Sequence, residues 1–472
     1  MILLGGFFLR FHALDRQSLW DDELSTIRTI SLPARQMLQR FATYETHPPL
    51  YFLQLKVWRA LHGRSLVRLR ANSALWGSLS LMLIFLLGRQ YGGTPLGLSA
   101  MAMLAVSPFH LAYSQEIRPY AMAVAIALAG WLNLEAILRR KAVDVTPVKT
   151  GAQNKDWVPA FAGMTTLTLL WTAQLYTHYW GAFVVVSQMA YALRQAPRED
   201  RKKILAAGAA AGILFSLWLP VLFQQFGVID RLVFWASPFT VKNLAKVFLA
   251  YSGLFFNMAS SAFYLRSNVG IFVGTGLVFA VALGMGLWRG PRQAVLWLVL
   301  GLGIPWILSA WKPTLFLWYR YTTLMLPAFV LLVAAGLLAA RPRALGAGLM
   351  LIALGSQIWG DWTYFHGWQK ANPKAVVAYV HRIRQPDTVV VRPSYFGDLF
   401  NFYDLGTTAV IDENLFDNSE KRAALRGRHA IFLEFDVPSD PVGDAIVSEC
   451  KPVTARYFPG TAHLGITVYQ LK

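Results

Sequence analysis

The chain has 472 residues, 55% of them hydrophobic, with a formal net charge of +19 and a single cysteine, Cys450. The apolar share exceeds the roughly 45–50% of ordinary soluble domains and is gathered into long runs, which excludes a simple water-soluble fold. One cysteine excludes an internal disulfide, and the basic residues sit in short clusters between the apolar runs (139–141, 194–203, 289–292, 341–343), a pattern of cytoplasmic loops rather than of nucleic-acid binding.

A run of about 18 or more mostly apolar residues reads as a bilayer-spanning helix, because in lipid a lone segment must satisfy its own backbone hydrogen bonds. The sequence predicts eleven such helices, near residues 1–13, 67–88, 95–113, 118–138, 165–177, 179–193, 204–226, 268–288, 293–310, 322–340 and 344–360. The first is short. Only residues 2–9 are continuously apolar before Arg10, without the basic start and cleavage site of a signal peptide, so a shortened helix or a start codon assigned too late is expected. The expected topology has the N-terminus inside, with the loop 14–65 and everything after 361 outside. A single helix over 165–193 would turn the basic cluster 194–203 outward, so the positive-inside rule favours two helices with residues 176–179 at the outer turn.

Residues 142–166 break the pattern. The stretch 146–165 resembles translated palindromic repeats and reads as an insertion in a cytoplasmic loop. After 361 the composition changes. Asn372 caps a helix opened by Pro373 and continuing over 374–384. Strand-like runs follow at 388–391, 408–411, 430–435 and 466–471, predicting a small α/β domain outside the membrane.

Candidate chemistry lies in the outer loops. Trp20-Asp21-Asp22-Glu23 places three carboxylates in a row after the first span, and Glu45 and His47 follow in Tyr44–Phe52. Between them, 32–41 has the spacing of an interfacial amphipathic helix. A carboxylate there can act as general base, and Glu45 with His47 offers a divalent cation or a phosphate a place to bind. The same residues also fit a solvated loop. Glu116 and Arg118, in the turn between the third and fourth helices, form either a phosphate contact or a turn-solvating pair. Arg320 and Tyr321, within Trp318–Tyr321, are either ligand groups or interface anchors. His178 and Tyr179 share the outer turn at 176–180, and snorkelling explains Arg68 and Arg70. These clusters converge on one side, whereas no Asp or Glu lies mid-span except Glu135 near an inner end. Ion-coupled transporters place ionisable groups near the midplane.

The motifs LWDDE at 19–23, HPPLYF at 47–52 and SPFHLAYSQEIRPYA at 107–121 resemble bacterial members of the dolichyl-phosphate-mannose protein mannosyltransferase family, of the GT-C class. YTHYWG at 176–181, RYTTLMLPAF at 320–329 and the segment 368–403 are similar too. The resemblance covers most of the chain except 142–166. It implies a polytopic α-helical membrane protein with a large first periplasmic loop, and an inverting transfer from a polyprenyl-phosphate sugar donor to an extracytoplasmic lipid, glycan or protein. It implies Asp22 as the base, followed by Glu23, and Asp22 with Glu45 as ligands of a divalent metal. His47, Arg118, Arg320 and Tyr321 are the implied donor-phosphate group, with Glu116, His178 and Tyr179 nearby. Glu45 and His47-Pro48-Pro49-Leu50 match a Glu-Lys-Pro-Pro-Leu motif of the related aminoarabinose transferases, with His in place of Lys. Other partners would be the lipid bilayer and no nucleic acid, in a bacterial inner membrane with the site facing the periplasm. Two other classes compete: a transporter or flippase of lipid-linked precursors, which would show midplane polar groups or repeats, and a scaffold, in which substitution of Asp22 is silent.

Overall fold

The computed structural model describes residues 1–143, 157–232, 239–254, 269–317, 320–367, 372–385, 388–392, 397–403, 410–412, 430–435, 454–458 and 466–471. Most of the insertion, Trp318, Tyr319, Cys450 and residues 408–409 lie outside them. The chain forms two compact units, Met1–Leu14 with Thr26–Trp362, and Asp15–Ser25 with Thr363–Lys472.

The first unit is helical. It holds α1 (Ile2–Phe11), most of α2 (Asp21–Ser31), α3 (Ala34–Thr43), α4 (Leu50–His62), α5 (Leu66–Ala105), α6 (Pro108–Ser114), α7 (Tyr120–Val143), α8 (Trp157–Thr177), α9 (Gly181–Gln195), α10 (Arg198–Ser216), α11 (Leu219–Leu232), α12 (Val241–Tyr251), α13 (Val269–Arg289), α14 (Arg292–Leu308), α15 (Leu326–Ala339) and most of α16 (Arg343–His366). Among the described residues, four stretches are long and apolar enough to cross a bilayer: Leu66–Ala105, Tyr120–Arg139, Val269–Arg289 and Tyr321–Ala339. The bent pair Arg198–Ser216 and Leu219–Ile229 makes a fifth, and Ile2–Phe11 and Arg292–Leu308 are shorter apolar helices.

Several expected boundaries move for identifiable reasons. Helix α5 carries two expected spans. Gly93, at φ 77°, breaks it in a conformation that favours glycine, and the arms fold back so that a Cβ on Gly88 would stand 2.9 Å from the Gly97 Cα. The second arm stops at Ala105, because Ser107 and Pro108 cap and open α6. The single helix expected over 204–226 is instead α10 and α11, bent by 68°. Helices α8 and α9 are separate, as the charge pattern requires, although α8 begins at Trp157, inside the stretch read as insertion. The loop 14–65 contains α2, α3 and α4, and the acidic run forms the first turn of α2, where carboxylates suit the positive end of the helix dipole.

Arg10 does not end the first helix in solvent. It is fully buried and donates to Gly6 O (2.9 Å), Leu104 O (3.0 Å), Ala105 O (3.1 Å) and His110 Nδ1 (2.7 Å), tying α1 to the end of α5. Nor does Arg70 snorkel: it is buried and donates to Leu14 O at 2.7 Å. The carbonyls satisfy guanidinium N–H groups that would otherwise be stranded in an apolar interior.

The second unit contains a five-stranded sheet in the order β2-β1-β3-β5-β4. The strands are β1 (Val389–Arg392), β2 (Val410–Asp412), β3 (Ala430–Phe435), β4 (Thr454–Phe458) and β5 (Ile466–Leu471). β1 runs parallel to β2 and β3, and β5 runs antiparallel to β3 and β4. Helix α17 (Pro373–Ile383) buries Val376, Val377 and Val380 in a core with Val390, Phe400, Ile431, Leu433, Ile466 and Val468; Phe400 comes from the short α18 (Gly397–Phe402). As expected, Asn372 Oδ1 accepts from Ala375 N. Strand β4 was not expected; its residues 454–457 are exposed at the sheet edge. Segment 15–25 belongs to this unit through Gln17 Nε2 to Tyr364 O and Gly367 O, Ser18 Oγ to Asn372 Oδ1, and Leu19 N to Tyr403 Oη.

Candidate active site

Four separated segments of the first unit supply one buried polar cluster. Pro48 and Pro49 keep the chain out of helix until Leu50, so Glu45, Thr46 and His47 sit in a tight loop between α3 and α4. Arg118 comes from the α6–α7 turn, Thr26 from α2, and His178 from the break between α8 and α9. Glu45, His47, Arg118 and His178 are each at most 4% exposed.

Arg118 organises the cluster. Its Nη1 donates to Thr26 Oγ1 at 3.0 Å and lies 3.9 Å from Glu45 Oε1, while its Nη2 donates to His47 Nδ1 at 2.9 Å. The Nη2 also lies 3.4 Å from His47 Nε2, so His47, at the motif's Lys position, is held between the guanidinium and the Glu45 carboxylate. Glu45 Oε1 accepts from Thr46 N at 3.0 Å and stands 3.2 Å from His47 Nδ1; its buried Oε2 has no protein partner among the described residues.

His178 faces His47 with ring centroids 5.1 Å apart, and Tyr321 lies 5.0 Å from His178 and 6.0 Å from His47. Burial, then the proximity of His47 and Arg118, pushes the His178 pKa well below the ordinary histidine value, so the ring is neutral. Its Nδ1 accepts from Trp180 N at 3.1 Å, which leaves the buried Nε2–H unpaired among the described residues. His178 and Tyr321 line a small cavity of about 50 Å³ with Thr46, His47, Lys312 and Thr314.

Not every candidate donates to this cluster. Tyr179 donates to Gln225 Oε1 and accepts from Trp218 Nε1 at 2.9 Å. Gln225 Nε2 donates to Phe41 O at 2.9 Å and His47 O at 3.5 Å. Tyr179 thus braces the His47 loop, and burial raises its pKa. Glu116 is buried, and its carbonyl accepts from Arg118 N at 2.8 Å, which shapes the turn. Arg320 precedes the 3-10 turn Tyr321–Met325, whose Thr323 N and Oγ1 bond the Arg320 carbonyl. Asp22 and Glu23 open α2 and belong to the second unit, whereas Thr26, one turn beyond Asp22, belongs to the first. Thr26, Gln225, Lys312 and Thr314 were not singled out from the sequence, for none stands in a motif.

Among the described residues no three His, Cys, Asp or Glu side chains converge, and the Arg118 guanidinium lies 3.9 Å from Glu45 Oε1.

No family model and no curated protein matches the chain by sequence. Solved structures are similar in fold. ArnT from Cupriavidus metallidurans in the apo state is similar with a TM-score of 0.55 at 11% identity, over 99% of this chain and 97% of that one. The same protein bound to undecaprenyl phosphate gives 0.52 at 12% identity with the same coverage. The archaeal oligosaccharyltransferase AglB from Archaeoglobus fulgidus, in complex with an inhibitory peptide and a dolichol-phosphate, gives 0.51 at 12% identity over 91% of this chain and 68% of that one. At this identity the likeness establishes architecture: the chain shares the fold of these structures.

Proposed function

We propose that the protein is an inverting glycosyltransferase moving a sugar from a polyprenyl-phosphate carrier to an acceptor at the outer face of a bacterial inner membrane. The observation that carries this reading is the buried Arg118, held by His47, Thr26 and Glu45 beside the His178–Tyr321 cavity. That ArnT and AglB were solved with undecaprenyl phosphate and dolichol-phosphate supports a lipid phosphate as the anion. The eleven spans of this reading are α1, the two arms of α5, α7, α8, α9, the bent pair α10–α11, α13, α14, α15 and α16, with the second unit outside.

In the reaction the acceptor hydroxyl attacks the anomeric carbon from the face opposite the phosphate. Asp22 takes the hydroxyl proton as general base. The bond from the anomeric carbon to the phosphate oxygen breaks, and the departing polyprenyl phosphate gains one negative charge. Arg118 stabilises that charge from a pre-set position, so little reorganisation is needed. The Nε2–H of His178, Tyr321, Arg320 and Lys312 supply further donors around the phosphate. Glu23 accompanies Asp22 in the carboxylate pair, while Glu45, Glu116 and Tyr179 hold the phosphate-binding groups in place. Phosphate leaves readily, so no carboxylic acid is required opposite the base, unlike in glycoside hydrolysis. A divalent metal at Asp22 or Glu45 would add to the charge stabilisation by Arg118.

The test is release of polyprenyl phosphate by the purified protein from a panel of polyprenyl-phosphate sugars, with membrane extract as acceptor source, comparing wild type with Asp22→Asn. Transfer from one donor, abolished by the substitution, is expected. Equal release by both proteins removes Asp22 from the role of base.

A further inference from the structure

A second cavity of the first unit lies elsewhere. A groove of about 240 Å³ runs between α4 and α5, lined by Gln54, Trp58, Asn72, Leu75, Trp76 and Leu79. Asn72 is 2% exposed, yet its Oδ1 has no partner among the described residues, and neither has the buried Oε1 of Gln54. Two unpaired buried amide oxygens in one groove cost stability unless something fills it or the amides turn.

The order of residues along α5 says what would fit. Exposed Arg64 and Arg68 stand at its start, where Trp58 Nε1 bonds the Arg68 carbonyl at 2.7 Å and joins α4 to α5. One turn in is Asn72, and then come Leu75, Trp76 and Leu79. No Asp or Glu occurs between Glu45 and Glu116. Cation, amide, indole and aliphatic surface thus follow one another over about 20 Å of helix at 1.5 Å per residue. That is the order of phosphate, glycerol ester and acyl chain in a phospholipid. Side-chain amides carry N–H groups that can turn toward ester carbonyls.

We propose that this groove binds an anionic glycerophospholipid, its phosphate on Arg64 and Arg68, its glycerol esters on Gln54 and Asn72, and one acyl chain along Leu75 and Leu79. The proposal rests on α5 crossing the bilayer and is independent of the transferase chemistry. Since α4 starts three residues after His47, the bound lipid braces the helix that carries the His47 loop.

The test uses the purified full-length protein in detergent, titrated with phosphatidylglycerol or phosphatidylcholine while its melting temperature is followed. Phosphatidylglycerol is expected to raise the melting temperature saturably and phosphatidylcholine to leave it unchanged. Arg64→Gln with Arg68→Gln removes two charges at about 1 kcal/mol each, so half-saturation should rise about thirtyfold. Asn72→Leu, which deletes an unpaired buried amide, should melt at or above the wild-type temperature yet lose the response, and Leu79→Trp should lose it by filling the groove. An equal response to both lipids, or an unchanged response in Leu79→Trp, overturns the proposal. Polyprenyl phosphate release, measured separately in phosphatidylcholine discs, judges the transferase reading on its own.

Discussion

Arg118 is both a structural cation and the proposed phosphate ligand, and the two roles separate by substitution. Arg118→Met removes its bonds to His47 Nδ1 and Thr26 Oγ1 and strips Glu45, 3% exposed, of the cation 3.9 Å away. Breaking a buried pair from one side costs about 3–5 kcal/mol, because the remaining charge is stranded. Adding Glu45→Gln removes that charge, so the double variant should recover most of the lost stability. Donor binding should not recover. A charge-assisted hydrogen bond contributes about 1.5–3 kcal/mol, so affinity for polyprenyl phosphate should stay about 10- to 150-fold weaker in both variants. Arg118→Lys keeps the charge but cannot span His47 and Thr26 with one planar fork, and should fall between. The assays are thermal unfolding in detergent and equilibrium binding of polyprenyl phosphate. Wild-type affinity in the double variant would refute the phosphate role; a double variant no more stable than Arg118→Met would refute the pairing with Glu45.

Two further predictions concern the same unit. His178 is held neutral with its pKa below 6.5, so an unfolded chain binds a proton there that the folded chain does not. Its contribution to stability is present above pH 6.5 and is lost as pH falls below that value, by up to about 1.4 kcal/mol per unit. His178→Gln should flatten the melting-temperature profile between pH 6.5 and 5, and an unchanged slope would contradict the assignment. Gly286 and Gly336 bring α13 and α15 into backbone contact, since a Cβ on Gly336 would overlap the Ala282 carbonyl oxygen and one on Gly286 the Leu332 carbonyl oxygen. Gly336→Ala should destabilise by about 1–3 kcal/mol or more, whereas Gly274→Ala, with nothing within 4 Å, should not; equal melting temperatures would show that the helices separate freely.

The local chemistry of this chain was readable from its residues. Apolar runs marked the helices, the basic cluster 194–203 required a break between α8 and α9, and Asn372-Pro373 announced α17. Glu45, His47, Arg118, His178 and Tyr321 were candidates because each stands in a polar cluster between apolar runs, where a binding role and a bland one were both open. What sequence could not supply was the partner of each group. Arg10, Arg70 and Arg118 look alike as arginines near the ends of apolar runs. Only packing decides that the first two close backbone carbonyls and the third meets Glu45 and His47, because burial is a property of neighbours far along the chain. His47 read as a weak substitute for a lysine, and only the tertiary structure sets it between Arg118 and Glu45. Periodicity records which face of a helix is buried. The placing of Thr26 and Gln225, or of the Asn72 groove, depends on which turns of different helices meet, and only the tertiary structure decides that.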